Sequence, residues 1–234
     1  MLLKITLLAV PFLLYIAGMT SALNGWAVAE TVTKVLATVI LAGAVIFLAE
    51  VPLGVRLAFG IAFLLAAVGD GTLAYQKYLT PGSSLQGLLF IIGLGSFLVA
   101  YLTYSTTTFA VHSEVIFHPA TILTFAIFAG ISTWQFFSFP NLSEEMTVPV
   151  IAYLVQATLL VAAAAVAVVA IPGWPGILFA VAAVSLYVSD SLIGWNIFGL
   201  APLPLGGEPF ILPTYIIGQV GIGAVLLFSN FGIK

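Results

Sequence analysis

The chain has 234 residues, 62% of them hydrophobic and 6% charged, with a net charge of −3, no cysteine and a mean hydropathy of +1.26. A water-soluble domain runs about 25% charged, so too few polar side chains are present to cover one, and the surplus of apolar residues equally excludes disorder. Five Lys plus Arg leave no basic face for nucleic acid, and the lack of cysteine removes disulfides, thiolate metal sites and cysteine nucleophiles.

What remains is an integral membrane protein. A helix that crosses the hydrocarbon needs about 20 mostly apolar residues, and the sequence predicts eight: 3–22, 32–48, 54–75, 85–105, 119–138, 149–170, 175–196 and 210–229. The first carries Pro11 within it, a residue that kinks helices. Its apolar stretch is too long for a cleavable signal, its n-region holds only Lys4, and no A-x-A-like site with a polar continuation follows. Breakers separate the later spans: Pro52-Leu53-Gly54, Pro81-Gly82-Ser83-Ser84, Pro140-Asn141, Pro172-Gly173-Trp174-Pro175 and Pro202-Leu203-Pro204-Leu205-Gly206-Gly207. Small residues such as 161–165, Gly218 and Gly221 are expected where helices approach closely. Continuous apolar runs exclude a β-barrel. The expected fold is all-α, a bundle of eight transmembrane helices forming a single transmembrane domain over 1–234.

An even number of spans puts both termini on one side. Lys4, Arg56 and Lys234 fall there, while Lys34 and Lys77 fall on the other side beside Glu30, Glu144, Glu145 and Glu208. Counting Lys and Arg, the positive-inside rule favours cytoplasmic termini by a single charge. The expected location is the cell (inner) membrane.

A carboxylate at the centre of a spanning helix costs about 2.5–3.5 kcal/mol on insertion scales, so an intramembrane acid is a candidate for function. Two qualify: Asp70 late in the third helix and Asp190 late in the seventh. Odd-numbered helices run the same way, so both belong at similar depth, in the half away from the termini. The plain alternative is an acid at a helix end reaching headgroup water. It suits Asp70 better than Asp190, because residues 191–198 continue the apolar run. Val68-Gly69-Asp70-Gly71 resembles Val188-Ser189-Asp190-Ser191, and an offset of about 120 residues superposes helices two to four on six to eight. A parallel duplication gives that pattern, and so does chance in an apolar chain. Under duplication the two aspartates would face each other in one cavity.

Other polar residues belong at the same depth. Lys34 with Thr38, Tyr153 with Gln156, and Tyr215 with Gln219 each share a helix face. Together with Asn196 and the aspartates they predict one polar pocket in one leaflet, open away from the termini. Against this, Lys34 and Glu30 have the spacing of a common exposed helix pair, and Tyr153 and Tyr215 suit an aromatic belt. Neither accounts for Gln156 and Gln219. His112, Glu114 and His118 fall in the loop after the fourth helix and read as solvated residues, because the helix on which an HExxH zinc site depends is missing. No metal and no cofactor is expected.

The order of short motifs resembles the YhhN-like, lysoplasmalogenase family of multispanning membrane proteins. The matching pieces are Thr33-Lys34-Val35-Leu36, Gly69-Asp70, residues 97–104, Ser189-Asp190 and Tyr215-Ile216-Ile217-Gly218-Gln219. Two positions depart from the family pattern: Val35 stands where a proline is usual, and Tyr101 where a histidine is expected, which implies a difference in substrate or pH dependence. The resemblance implies hydrolysis of the vinyl-ether bond of a single-chain lysolipid to a fatty aldehyde and a glycerophospho-base. Asp70 and Asp190 would be acid and base, and Lys34, Thr38, Tyr101, Tyr153, Gln156, Asn196, Tyr215 and Gln219 would bind substrate. Vinyl-ether cleavage needs one proton donor and one group to orient or deprotonate water. The alternative is a proton-coupled transporter using the same aspartates. The nearly apolar half beside the termini argues against the polar path that a transporter needs.

Overall fold

A computed structural model describes residues 1–232. Among the described residues it is all-helical, with eight helices long and apolar enough to cross a membrane. These are α1 (Leu2–Leu23), α2 (Ala27–Leu48), α3 (Leu53–Gln76), α4 (Ser84–Val111), α5 (Pro119–Phe137), α6 (Glu144–Ala170), α7 (Trp174–Phe198) and α8 (Glu208–Phe228). The chain is a multi-pass membrane protein. Lys234 lies outside the described residues.

Three helix boundaries differ from the sequence expectation, each for a local reason. Helix α2 begins at Ala27 rather than 32, because the charges of its first turns are paired, Lys34 Nζ lying 2.5 Å from Glu30 Oε1. Helix α4 runs on to Val111 rather than 105. Its hydroxyls turn back onto their own backbone, Thr108 Oγ1 donating to Tyr104 O at 2.8 Å, so the polar stretch does not end it. Helix α6 begins at Glu144 rather than 149 and carries Pro149 inside. Glu144 and Glu145 in its first turn complement the helix dipole.

The chain falls into two compact units. The first comprises α1–α3, α4 through Thr103, and the end of α8 from Leu226. Its core is built on Leu41, Val45, Phe59 and Phe63, and Phe231 meets Phe59 edge-on at 5.6 Å. Small residues set the spacing. A Cβ on Gly18 of α1 would lie 2.9 Å from Thr33 Oγ1, and one on Gly69 of α3 would lie 2.5 Å from the Phe97 ring of α4. Lys4 Nζ reaches Glu50 Oε1 at 2.7 Å and the Leu227 carbonyl at 3.0 Å, tying α1 to the α2–α3 turn and to the last turn of α8, where a cation is favourable.

The second unit is Tyr104–Val225. Helix α6 is its most buried span, with Val161, Ala162, Ala163 and Ala164 all enclosed. Gly218 and Gly221 of α8 bring that helix against Leu186 and Ala182 of α7, the close approach expected of such residues. Phe139, Phe198 and Trp195 close one end of this unit. The loop before α8 is a tight turn, Pro204–Gly207, in which Leu205 and Gly206 take left-handed backbone conformations. Asn196 anchors it, its Oδ1 accepting from Leu203 N–H at 2.9 Å.

The histidines depart from the sequence reading in part. His112 is buried rather than solvated, at the end of α4. His118 is exposed and caps α5, its Nδ1 accepting from Ala120 N–H at 3.2 Å. Among the described residues, no group of three His, Asp or Glu side chains gathers as metal ligands would.

Candidate functional site

In the first unit, polar groups from α1, α2 and α3 form one continuous buried chain. Asp70 of α3 is 5% exposed, and its Oδ2 accepts a hydrogen bond from the Thr38 hydroxyl of α2. Tyr15 of α1 contacts Thr38 Oγ1 at 2.6 Å. Thr38 has one proton to give. When it goes to Asp70, the Tyr15 hydroxyl must be the donor to Thr38. When it goes instead to the Lys34 carbonyl, 3.0 Å away, Asp70 Oδ2 faces a lone pair, which only a protonated carboxyl satisfies. The three side chains therefore have two proton arrangements available, the geometry of a relay.

About two turns before Thr38, Glu30 is fully buried. Its Oε1 takes Lys34 Nζ at 2.5 Å and Lys77 Nζ at 2.6 Å, and its Oε2 takes the Tyr78 hydroxyl at 2.7 Å. Lys34 and Glu30 are thus not an exposed helix pair. They form a buried charge cluster holding α2 to the end of α3. Both ammoniums meet the one Glu30 carboxylate there. Tyr101 of α4 is also fully buried in this unit, its ring 5.7 Å from that of Phe97. Phe97 in turn lies against Gly69, the neighbour of Asp70.

The second unit holds the other acid. Asp190 of α7 is half-buried as a residue, but its Oδ2 is sealed from solvent and has no hydrogen-bond partner. The Tyr153 hydroxyl of α6 approaches its carboxyl. Gln156 of α6 is 1% exposed, and neither its Nε2 nor its Oε1 is paired. Gln219 of α8 is fully buried, with Oε1 accepting from the Tyr104 hydroxyl at 3.2 Å and Nε2 unpaired. Tyr215 is buried on the same helix. Buried polar atoms are paired in more than about nine cases in ten, so four orphaned atoms on three side chains mark this region. On the far face of α6, Ser132, Thr158 and Tyr187 join hydroxyls at 2.9 Å each. They lie beneath an apolar groove of about 220 Å³ between α5 and α6.

Asp70 with Lys34, Thr38 and Tyr101 therefore belongs to the first unit, and Asp190 with Tyr153, Gln156, Tyr215 and Gln219 to the second. Asn196 secures a loop. Sequence reasoning passed over Tyr15, Glu30, Lys77, Tyr78 and Tyr104. A lone tyrosine in the middle of a span, and a Lys-Tyr pair at the end of the Asp70 helix, were the available signals.

A profile of the YhhN family matches residues 29–226. The chain belongs to the YhhN family. Comparison with curated proteins and with solved structures finds no match. The YhhN match takes in α3, α4, α5, α6 and α7 whole, with both intramembrane aspartates. Tyr15 falls before it, on α1.

Proposed function

We propose that this YhhN-family protein is a membrane-embedded lipid hydrolase that cleaves the vinyl-ether bond of a lysoplasmalogen, with Asp70 and Asp190 as its working carboxyls. The observation that carries the reading is Asp190, an acid inside a spanning helix with Oδ2 buried and unpaired. Tyr104–Val225 contains no Lys and no Arg, so no ammonium or guanidinium from these residues stabilises the acid. Retaining a carboxyl there for packing alone is unfavourable, whereas an unpaired oxygen is available to a substrate atom.

The chemistry needs little else. A proton passes to the β-carbon of the enol ether, turning the C=C–O group into an oxocarbenium ion. Water adds to the α-carbon and gives its proton to a base. The hemiacetal then collapses: its hydroxyl becomes the aldehyde carbonyl, the bond to the glycerol oxygen breaks, and that oxygen takes the proton. One water is consumed. The acid ends deprotonated and the base protonated, so each exchanges a proton before the next turnover. For Asp70, Thr38 and Tyr15 offer the route.

Turnover in ¹⁸O-water tests the reading. The label is expected in the aldehyde, trapped as it forms, and not in the glycerophospho-base. Uptake of labelled solute into liposomes with no aldehyde formed would replace the hydrolase by a transporter.

A further inference from the structure

The orphaned amides of the second unit have a chemistry of their own. Gln156 lies three residues beyond Tyr153 on one face of α6, and the next residue, Ala157, packs against Tyr187, three residues before Asp190 in α7. Gly218 packs on Leu186, one turn before Asp190, and the following residue is Gln219. Gln156 thus lies near the level of Asp190, whereas Ser189 Oγ donates to the Ile211 carbonyl at 3.3 Å, which leaves Gln219 about two turns further along α8. The Tyr104 hydroxyl holds Gln219 Oε1 at 3.2 Å, which leaves Nε2 as the available donor. Gln156 presents both a donor and an acceptor, each unpaired, on a side chain 1% exposed.

With no Lys or Arg in Tyr104–Val225, no ammonium or guanidinium from these residues is there to hold a phosphate. The complementary group is neutral and both accepts and donates a hydrogen bond, as a hydroxyl does and an ester or ether oxygen does not. In a glycerolipid with one chain, the glycerol carbon that lacks a chain carries such a hydroxyl. In a two-chain lipid that oxygen is acylated and has no proton. We infer that Gln156 is the subsite that holds the free glycerol hydroxyl of a single-chain lipid and so selects it over two-chain lipids. The inference rests on the hydrolase reading for the identity of the lipid, and on the unpaired Gln156 amide for the group recognised.

The test is equilibrium binding of a saturated alkyl-ether lysophospholipid, which cannot be hydrolysed, to the purified full chain. The probe is compared with its deoxy and O-methyl analogues at the glycerol hydroxyl. The wild type should bind the hydroxyl form about 10- to 100-fold more tightly than either analogue, the range expected when a buried polar group is left unpaired. Gln156→Met keeps the length of the side chain and removes both hydrogen-bonding atoms. It should bring the ratio to within about threefold by weakening the hydroxyl form alone. Equal wild-type affinity for the three forms overturns the inference without any variant, as does absence of binding or a ratio unchanged in Gln156→Met. Aldehyde release from vinyl-ether substrates on the same preparations separates the two readings. Hydroxyl-selective binding without aldehyde keeps the subsite and removes the hydrolase. Equal turnover of hydroxyl and deoxy vinyl ethers removes the subsite and keeps the hydrolase.

Discussion

Asp190 and Asp70 differ in their immediate company, and that difference sets what each substitution should do. Asp190→Asn preserves volume but removes the proton-transfer group, and loss of general acid–base help lowers rates by about 10²–10⁴-fold. Turnover should fall by that much while the detergent melting temperature holds within a few degrees. A rate within tenfold of wild type would exclude Asp190 as acid or base. At Asp70 the same is expected of Asp70→Asn. Thr38→Val should give a smaller loss of turnover because it breaks the Tyr15–Thr38–Asp70 chain and leaves the carboxyl in place. Glu30 is a different case. Glu30→Gln leaves the Lys34 ammonium, only 8% exposed, facing an amide, and breaking a buried pair by removing one partner costs about 3 kcal/mol or more. The double variant Glu30→Gln/Lys34→Met should recover much of that loss, and thermal unfolding in detergent reads both. The acids were legible in the sequence because a carboxylate inside an apolar run is conspicuous. The Glu30 cluster was not, since an i,i+4 Glu–Lys pair looks the same whether water or a neighbouring helix covers it. Lys77 and Tyr78, which show that Glu30 faces inward, lie 47 and 48 residues away in the chain.

Element by element, the positions of all eight spans follow from hydropathy, and the errors lie at ends where polar residues continue a helix. Residues 106–108 and the acidic start of α6 read as loop by composition, yet Thr108 bonds back to the Tyr104 carbonyl and Glu144 and Glu145 complement the helix dipole. Glycines show the same division between what sequence gives and what packing decides. A Cβ at Gly176, in the first turn of α7, would lie 2.4 Å from Ile171 O and 2.8 Å from Ala167 O, whereas one at Gly43 of α2 meets nothing within 4 Å. Gly176→Ala should therefore destabilise by about 1–3 kcal/mol through forced backbone shifts. Gly43→Ala should be neutral or stabilising by up to about 1 kcal/mol, through helix propensity. Paired melting curves in one detergent decide the comparison, and equal effects would contradict the packing described for the α6–α7 turn. The Lys4–Glu50 link gives this scale a pH dependence. Glu50 is held below its ordinary value of 4.5 by the hydrogen bond and charge of Lys4. Its contribution is present above that value and is lost as pH falls through the lower folded one. Glu50→Gln should flatten the acid side of the stability profile.

For the whole molecule, eight spans, family and membrane character were within reach of composition and motif order, whereas orientation rests on few charges. We propose cytoplasmic termini on the strength of Lys4 and Arg56. The chain has no cysteine, so single-cysteine labelling is clean: Ser83→Cys, between α3 and α4, should react with an impermeant maleimide in intact cells, and Leu53→Cys, at the start of α3, only after permeabilisation. The reverse pattern would invert the topology. The activity itself is most directly tested by aldehyde release from lysoplasmalogen in liposomes carrying the purified wild-type protein, beside Asp190→Asn at equal folded amount. A hydrolase using Asp190 predicts stoichiometric aldehyde and glycerophospho-base from the wild type, with the rate lowered at least about 100-fold in the variant. Absence of aldehyde from the wild type, or equal rates from both proteins, would contradict it.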